Sequence, residues 1–241
     1  MTIDQAIIMA AGYAKRMRPL TDDMPKPLLE VGGKPLLTHI IDHLIAENVK
    51  RIIINGHHAI QHLKNYIEWA HIHYPSCEFI LSEEDSILET GGGLINALPH
   101  LNKNAPFYMI NGDAYWLNHS SQRSLQSLLE QWKKTDSNLL LLLQPCETMN
   151  MTKPVGDYDL LNDVATRSHN KSGQYMFTGI RVCHPKILKE YPIESFSFLE
   201  IMDKQDSQNK LEAVDHKGRW YHISTPDDLN EVNAAIERIT Q

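Results

Sequence analysis

Residues 7–28 read Ile-Ile-Met-Ala-Ala-Gly-Tyr-Ala-Lys-Arg-Met-Arg-Pro-Leu-Thr-Asp-Asp-Met-Pro-Lys-Pro-Leu. A buried strand runs here into a loop of small residues. Arg16 follows Gly12, and Lys26 is held between Pro25 and Pro27. Such a loop lets backbone N–H groups approach a polyphosphate closely, and the two cations neutralise it. The flanking prolines restrict the chain around Lys26 with no evident structural return. A rigid lysine beside phosphate oxygens is an electrostatic device of phosphoryl transfer. The loop is neither a dinucleotide fingerprint nor a Walker loop, because GxGxxG and GK[ST] are both missing.

Outward from this segment, short apolar runs alternate with helical patterns. Ala6–Ala10, Arg51–Asn55, Cys77–Leu81, Phe107–Asn111 and Leu139–Gln144 read as strands. Helices are expected from Pro35 to Asn48, over Ile60–Ala70, after Gly91–Gly93 through Leu98, and over Ser124–Lys133. This order predicts an α/β fold: a Rossmann-like, mostly parallel sheet with helices on both faces. Ligands of such sheets bind beyond the carboxyl ends of the strands. The loops after the first four strands should therefore converge on one crevice. After about residue 150 the pattern becomes irregular, with strands expected at Asp157–Leu160, Tyr175–Cys183 and Arg219–Ile223. Pro226–Arg238 reads as a closing amphipathic helix with Leu229, Val232, Ala235 and Ile236 inward. No linker separates two independent domains.

The chain has 241 residues, 42% apolar and 22% charged, which suffices for a sizeable core. A formal charge of −7 argues against a general nucleic-acid grip, while a local basic pocket for a small anion remains possible. Three widely spaced cysteines, Cys77, Cys146 and Cys183, form no CxxC pair and read as reduced thiols. The N-terminus lacks a basic region and a long apolar stretch, so no signal peptide is expected. The longest apolar run, Leu139–Leu143, is far short of the roughly 20 residues of a membrane span. A cytoplasmic location without membrane association is expected.

Asn111-Gly112-Asp113 ends an apolar strand and puts a carboxylate at the crevice. It reads either as a turn or, next to a phosphate loop, as a magnesium ligand. Leu88 to Gly93 carries three glycines that would permit main-chain contact with a base or sugar; a flexible turn is the plainer reading. The 13 histidines include no HExxH, and there is no Gly-x-Ser-x-Gly elbow.

These residues resemble the sugar-1-phosphate nucleotidyltransferases. Within them the chain is most similar to the bacterial N-acetylmuramate 1-phosphate uridylyltransferases of peptidoglycan recycling, with the mannose-1-phosphate guanylyltransferases close by. The matching stretches are Met9-Ala10-Ala11-Gly12, Arg16 to Thr21, Pro25 to Leu28, Asn55 with His57-His58, Leu88 to Gly93, Asn111-Gly112-Asp113, Gly156-Asp157-Tyr158, Phe177 to Ile180 and Trp220 to Pro226. The resemblance implies the nucleotide-diphospho-sugar transferase fold in one domain over 1–241. About 1–150 would bind the nucleotide, and about 151–241 would bind the sugar and supply the closing helix. It implies that a sugar 1-phosphate attacks the α-phosphorus of a nucleoside triphosphate and expels pyrophosphate, with alignment and charge neutralisation as the protein's task. Arg16, Lys26 and Asp113 would be catalytic. Ala11, Gly12, Tyr13, Ala14, Gly91 and Gly92 would line the nucleotide. Asn111, Asp157, Thr178 and Gly179 would lie on the sugar side. Mg²⁺ would be held by Asp113.

Two departures stand out. The family usually has glycine where this chain has Ala14, so a methyl group meets a loop that can demand positive φ. The family's Trp-x-Asp-x-Gly-Thr becomes Trp220-Tyr221-His222-Ile223-Ser224-Thr225, which puts His222 where the second metal-ligating Asp belongs. Imidazole suits Mn²⁺ better than Mg²⁺. A non-catalytic nucleotide or nucleotide-sugar binding protein is the alternative that this change leaves open. The base, the sugar and the oligomeric state are not specified by the letters.

Overall fold

The computed structural model describes residues 2–149 and 154–240. The expected change of pattern at about residue 150 lies outside them. The elements, in chain order, are β1 (Gln5–Met9), β2 (Glu30–Val31), β3 (Lys34–Pro35), α1 (Leu36–Ala46), β4 (Arg51–Gly56), α2 (Ile60–His73), β5 (Glu78–Glu83), α3 (Glu89–Ala97), β6 (Phe107–Asn111), β7 (Tyr115–Leu117), α4 (Ser124–Trp132), β8 (Leu139–Pro145), β9 (Tyr158–Leu161), β10 (Val164–Arg167), β11 (Tyr175–Cys183), α5 (Leu199–Ser207), β12 (Glu212–Asp215), β13 (Arg219–Tyr221) and α6 (Pro226–Thr240).

Nine strands form one sheet in the order β5-β4-β1-β6-β11-β8-β12-β10-β9. Strands β5, β4, β1 and β6 are mutually parallel, β12 is parallel to β8, and β11 runs against both β6 and β8. The run Leu139–Leu143 shows why: a central strand has no solvent face. Leu140 and Leu142 enter one core, whereas Leu139, Leu141 and Leu143 enter the other. Helices α1, α2 and α4 cover the first core through Ile40, Leu63 and Leu128, and α3 and α5 cover the second through Leu94 and Ile201. The expected α/β sheet with helices on both faces is what forms, parallel through β5, β4, β1 and β6 and mixed beyond them.

Some expectations are corrected. Arg219–Tyr221 does not join the main sheet; it pairs with β7 as a separate two-stranded ribbon. Gly91–Gly93 do not precede a helix but lie in the first turns of α3. A Cβ at Gly92 would stand 2.0 Å from the Glu194 carbonyl oxygen, so the helix can pack on that segment only as glycine. Helix α6 closes a third core: Leu229 and Val232, with Ile236 against them, meet Met17, Val31, Tyr115 and Tyr221. No helix among the described residues is long and apolar enough to cross a membrane.

Register places the site. Met9 lies beside Asn55 on one side and Asn111 on the other, so the carboxyl ends of three parallel strands are level.

Two imidazoles are taken into the fold, His216 buried and His43 in part. His43 stacks on Trp116 at 4.2 Å and bonds its carbonyl, and His216 donates through Nδ1 to Gln144 Oε1 at 2.7 Å. Burial pushes both from 6.5 down to about 4, and His43 adds to the effect at His216. In the unfolded chain both take up protons near pH 6.5, and in the folded chain they resist until about pH 4. Stability should therefore be complete above pH 6.5 and decline down to pH 4, by on the order of 3 kcal/mol per imidazole. Urea titrations at pH 7.5 and pH 4.5 check this; a His43→Gln, His216→Gln double variant should flatten the decline.

Candidate active site

A cleft of about 550 Å³ opens at the level strand ends. Its walls include Ala11, Gly12, Ala14 and Arg16 from the loop after β1, Lys26, Asn111 and Asp113, with Ser224 from the chain before α6. The sequence reading placed Ala11, Gly12, Ala14, Arg16, Lys26, Asn111 and Asp113 together, and the structure brings them together.

Backbone geometry makes this meeting possible. Gly112 N–H donates to the Met9 carbonyl at 2.8 Å, joining the ends of β1 and β6. A Cβ on Gly112 would stand 2.7 Å from both that oxygen and Pro27 Cγ. With no side chain there, the turn carrying Asp113 lies against Pro27, and Lys26 Nζ reaches Asp113 Oδ2 at 2.7 Å. The Lys26 side chain is 9% exposed and that of Asp113 46%. The ammonium is thus embedded in the wall, while the carboxylate keeps a face toward the cleft. Arg16 is exposed and has no ion-pair partner among the described residues. A Cβ on Gly12 would meet nothing within 4 Å, so the loop borders open space rather than protein.

The start of the loop is anchored by Asn55, which the sequence reading quoted without a role, and by Glu84, which it did not single out. Ala10 N–H donates to Asn55 Oδ1 at 2.6 Å, and Asn55 Nδ2 donates to Glu84 Oε1 at 2.6 Å. Glu84 Oε2 accepts from Leu88 N–H at 3.0 Å. Burial raises the Glu84 pKa, against the lowering effect of these bonds. Nothing in the spacing of residues 10, 55 and 84 announces this chain; only adjacency of β1, β4 and β5 creates it. Ala14 does adopt the left-handed conformation, at φ 45° and ψ 47°. The methyl is strained there, and the turn is fixed by Thr21 Oγ1 and Met17 N–H, which both donate to its carbonyl.

Other expected residues fall elsewhere. Tyr13 is not among the residues lining the cleft, and its hydroxyl donates to His57 Nε2 at 3.3 Å, whose Nδ1–H donates to the Glu84 carbonyl. Gly91 and Gly92 donate their N–H groups to the Phe196 carbonyl, and Glu89 and Thr90 line the cleft in their place. Their lack of side chains serves helix packing. Thr178 is buried with its hydroxyl on the Leu142 carbonyl. Gly179, at φ +79°, leaves room for Asn111, whose Cγ lies 3.0 Å from where a Cβ would stand. Ser224 gives its hydroxyl to Asp228 at 2.9 Å, together with its own N–H and that of Thr225. Burial alone would raise the Asp228 pKa, but these bonds outweigh it and leave the carboxyl below its usual range.

Asn111 also lines a second cavity of about 250 Å³, together with Asp157, Tyr158, Arg167, Lys171 and Arg181. Asp157 accepts from Lys171 Nζ at 2.8 Å and from Phe177 N–H at 3.2 Å. Thr90, Asn111 and Ser197 border both spaces, so the two adjoin. Burial holds the Arg181 guanidinium down at about 10.

Among the described residues no group of three or more His, Cys, Asp or Glu could hold a metal ion by itself. Mg²⁺, however, is commonly held by one or two carboxylates and substrate phosphates. The half-exposed Asp113 carboxylate fits that pattern. His222 does not border the cleft, although it feels the charges of Asp113, Lys26 and Arg16. Burial lowers its pKa first; Asp113 pulls the other way.

The nucleotidyl transferase family model matches residues 5–154. The chain belongs to this family of nucleotidyltransferases. It is 28% identical to the N-acetylmuramate alpha-1-phosphate uridylyltransferase of Caulobacter vibrioides over 92% of each chain. It is 29% identical to the protein of the same name from Neisseria meningitidis serogroup B, over 95% of this chain and 97% of the relative. In three dimensions it is similar to the inositol-1-phosphate CTP transferase from T. maritima, with TM-score 0.78 at 19% identity over 100% of this chain and 98% of that one. A UDP-glucose pyrophosphorylase solved with UDP-glucose gives TM-score 0.79 at 16% identity over 99% and 100% of the two chains. These likenesses match the fold expected from the strand and loop order.

Gly179→Ala should destabilise the fold by about 1–3 kcal/mol, through both its positive φ and the crowding of Asn111. Urea denaturation measures this, and a raised KM for the acceptor at constant nucleotide KM would locate the effect at Asn111.

Proposed function

We propose that this chain joins a nucleoside triphosphate to a sugar 1-phosphate, releasing pyrophosphate and a nucleotide sugar, and that the pair is UTP with N-acetylmuramate 1-phosphate. The observation that carries the reading is the pair of adjoining cavities at the strand ends. Arg16, without an ion-pair partner among the described residues, and an embedded Lys26 face the larger cleft, and Asn111 borders both it and a smaller cavity. The two uridylyltransferase relatives, similar over nearly their whole length, support the choice of base and sugar.

An acceptor phosphate oxygen bonds to the α-phosphorus as the bond to the β-phosphate bridge breaks. No protein nucleophile is required. The loop from Ala11 to Ala14 receives the triphosphate through its backbone. Arg16 holds the departing β- and γ-phosphates, and Lys26 offsets charge on the reacting ones. Asn111, Asp157, Thr178 and Gly179 shape the acceptor side, Gly179 by leaving room for Asn111. Asp113 would hold Mg²⁺, or Mn²⁺ if His222 takes part, with Gly91 and Gly92 serving the base-side wall through helix packing. Such a cation, when bound, neutralises phosphate charge. The protein would act in the cytoplasm, where nucleoside triphosphates are available, on small molecules and without nucleic acid or membrane.

Pyrophosphate release should require both a sugar 1-phosphate and a divalent cation when all four triphosphates are screened with N-acetylmuramate, mannose and glucose 1-phosphates in Mg²⁺ and in Mn²⁺. Silence in every combination refutes nucleotidyl transfer; turnover with GTP and mannose 1-phosphate alone moves the substrate assignment. Lys26→Ala should lower kcat roughly 100-fold or more, with an unaltered urea midpoint excluding misfolding. His222→Asp should shift the preference toward Mg²⁺ if residue 222 reaches the cation, and leave the Mg²⁺ to Mn²⁺ ratio as it was if it does not.

A further inference from the structure

The smaller cavity holds a positive charge that no carboxylate among the described residues answers. Arg167 is matched by Asp203, and Lys171 is matched by Asp157. Arg181 is 2% exposed, and among the described residues no carboxylate lies within 4.0 Å of it. Its hydrogen bond runs from Nη2 to Asn111 Oδ1, a neutral acceptor, at 3.3 Å. Its Nε is buried without a partner. The rings of Phe177 and Phe198, at 5.3 and 4.6 Å, give the cation a favourable face but accept no strong hydrogen bond. The Tyr158 hydroxyl in the same cavity is also buried and unpartnered.

A buried guanidinium without an anion is a poor stabilising device, since an apolar side chain of similar volume would pack there at no such cost. Two buried donors that lack acceptors among the described residues belong to side chains lining one cavity, and they call for an acceptor from outside. Asn111 ties that place to the larger cleft, so the missing anion belongs to the acceptor molecule. One uncompensated positive charge balances a monoanion, and the planar guanidinium fork matches a carboxylate.

We propose that Arg181, assisted by Tyr158, receives a carboxylate on the acceptor, so that this cavity selects an acidic sugar 1-phosphate over a neutral sugar with the same ring. The proposal rests on the nucleotidyl-transfer reading and adds a specificity-determining residue to it.

The test compares N-acetylmuramate 1-phosphate with N-acetylglucosamine 1-phosphate, which share the amino-sugar ring and differ by a lactyl carboxylate. The wild type should favour the acidic acceptor, chiefly through KM. In Arg181→Met the ratio of kcat/KM for the two acceptors should fall roughly 10- to 100-fold, and Arg181→Lys should restore part of it. A ratio that stays put, or an equal loss with both acceptors, overturns the assignment and leaves Arg181 a structural residue. A wild type that prefers the neutral acceptor overturns it too, while leaving nucleotidyl transfer intact. Should Arg181→Met fail to fold, Tyr158→Phe read by the same ratio decides. Calorimetry of the wild type with N-acetylmuramate and N-acetylglucosamine separates the two claims. If no triphosphate and sugar phosphate turn over, the reaction assignment fails, and a preference for the acidic sugar in binding still supports the carboxylate site, whereas equal binding removes it.

Discussion

The site depends on one backbone hydrogen bond made at a place with no room for a side chain. Gly112 N–H meets the Met9 carbonyl where β1 and β6 end. Any Cβ there would collide with that oxygen and with Pro27. Because the two strand ends close on each other, the Pro25-Lys26-Pro27 segment and the Asp113 turn share a wall, and a buried ammonium meets a half-exposed carboxylate at 2.7 Å. Loosening this contact would separate the two groups without altering either.

Around that contact the chain handles negative charge locally, not globally. The protein carries a formal charge of −7, yet its cleft presents Arg16 without an ion-pair partner among the described residues. The supporting polar groups are neutral or internally satisfied: Asn55 and Glu84 hold the loop's first amide, and Asp228 is absorbed by Ser224 and Thr225. Cationic groups are thus left to face the cleft while nearby carboxylates are occupied. The same logic sets Arg181 apart, since Arg167 and Lys171 beside it are already balanced.

Strands β1, β4, β6 and β8 could be read because burial on both faces demands unbroken apolar runs. Strand β12 and helix α5 escaped notice because their sequences, Glu-Ala-Val-Asp and Leu-Glu-Ile-Met-Asp-Lys-Gln-Asp-Ser, are short and largely polar. They are stable where they are because β8 and β10 offer partners. The glycines of α3 were hard to read for a related reason: a glycine needed for close packing and one needed for a ligand look alike until Glu194 and Phe196 lie against Gly91 and Gly92, and Asn55 and Glu84 against Gly93.

What the letters determined by themselves was the alternation of elements, the loop that follows β1, and the placing of Arg16, Lys26, Asn111 and Asp113 at the strand ends, because hydrophobic period and proline and glycine constraints act over a few residues. What only the tertiary structure decided was which distant groups touch. Glu84 reaches Asn55 across neighbouring strands, Gly179 makes space for Asn111, and Arg181 lies buried with no carboxylate among the described residues within ion-pair distance. Hydrogen bonding and charge balance are settled by separations of about 3 Å in space, and sequence distance carries no record of them.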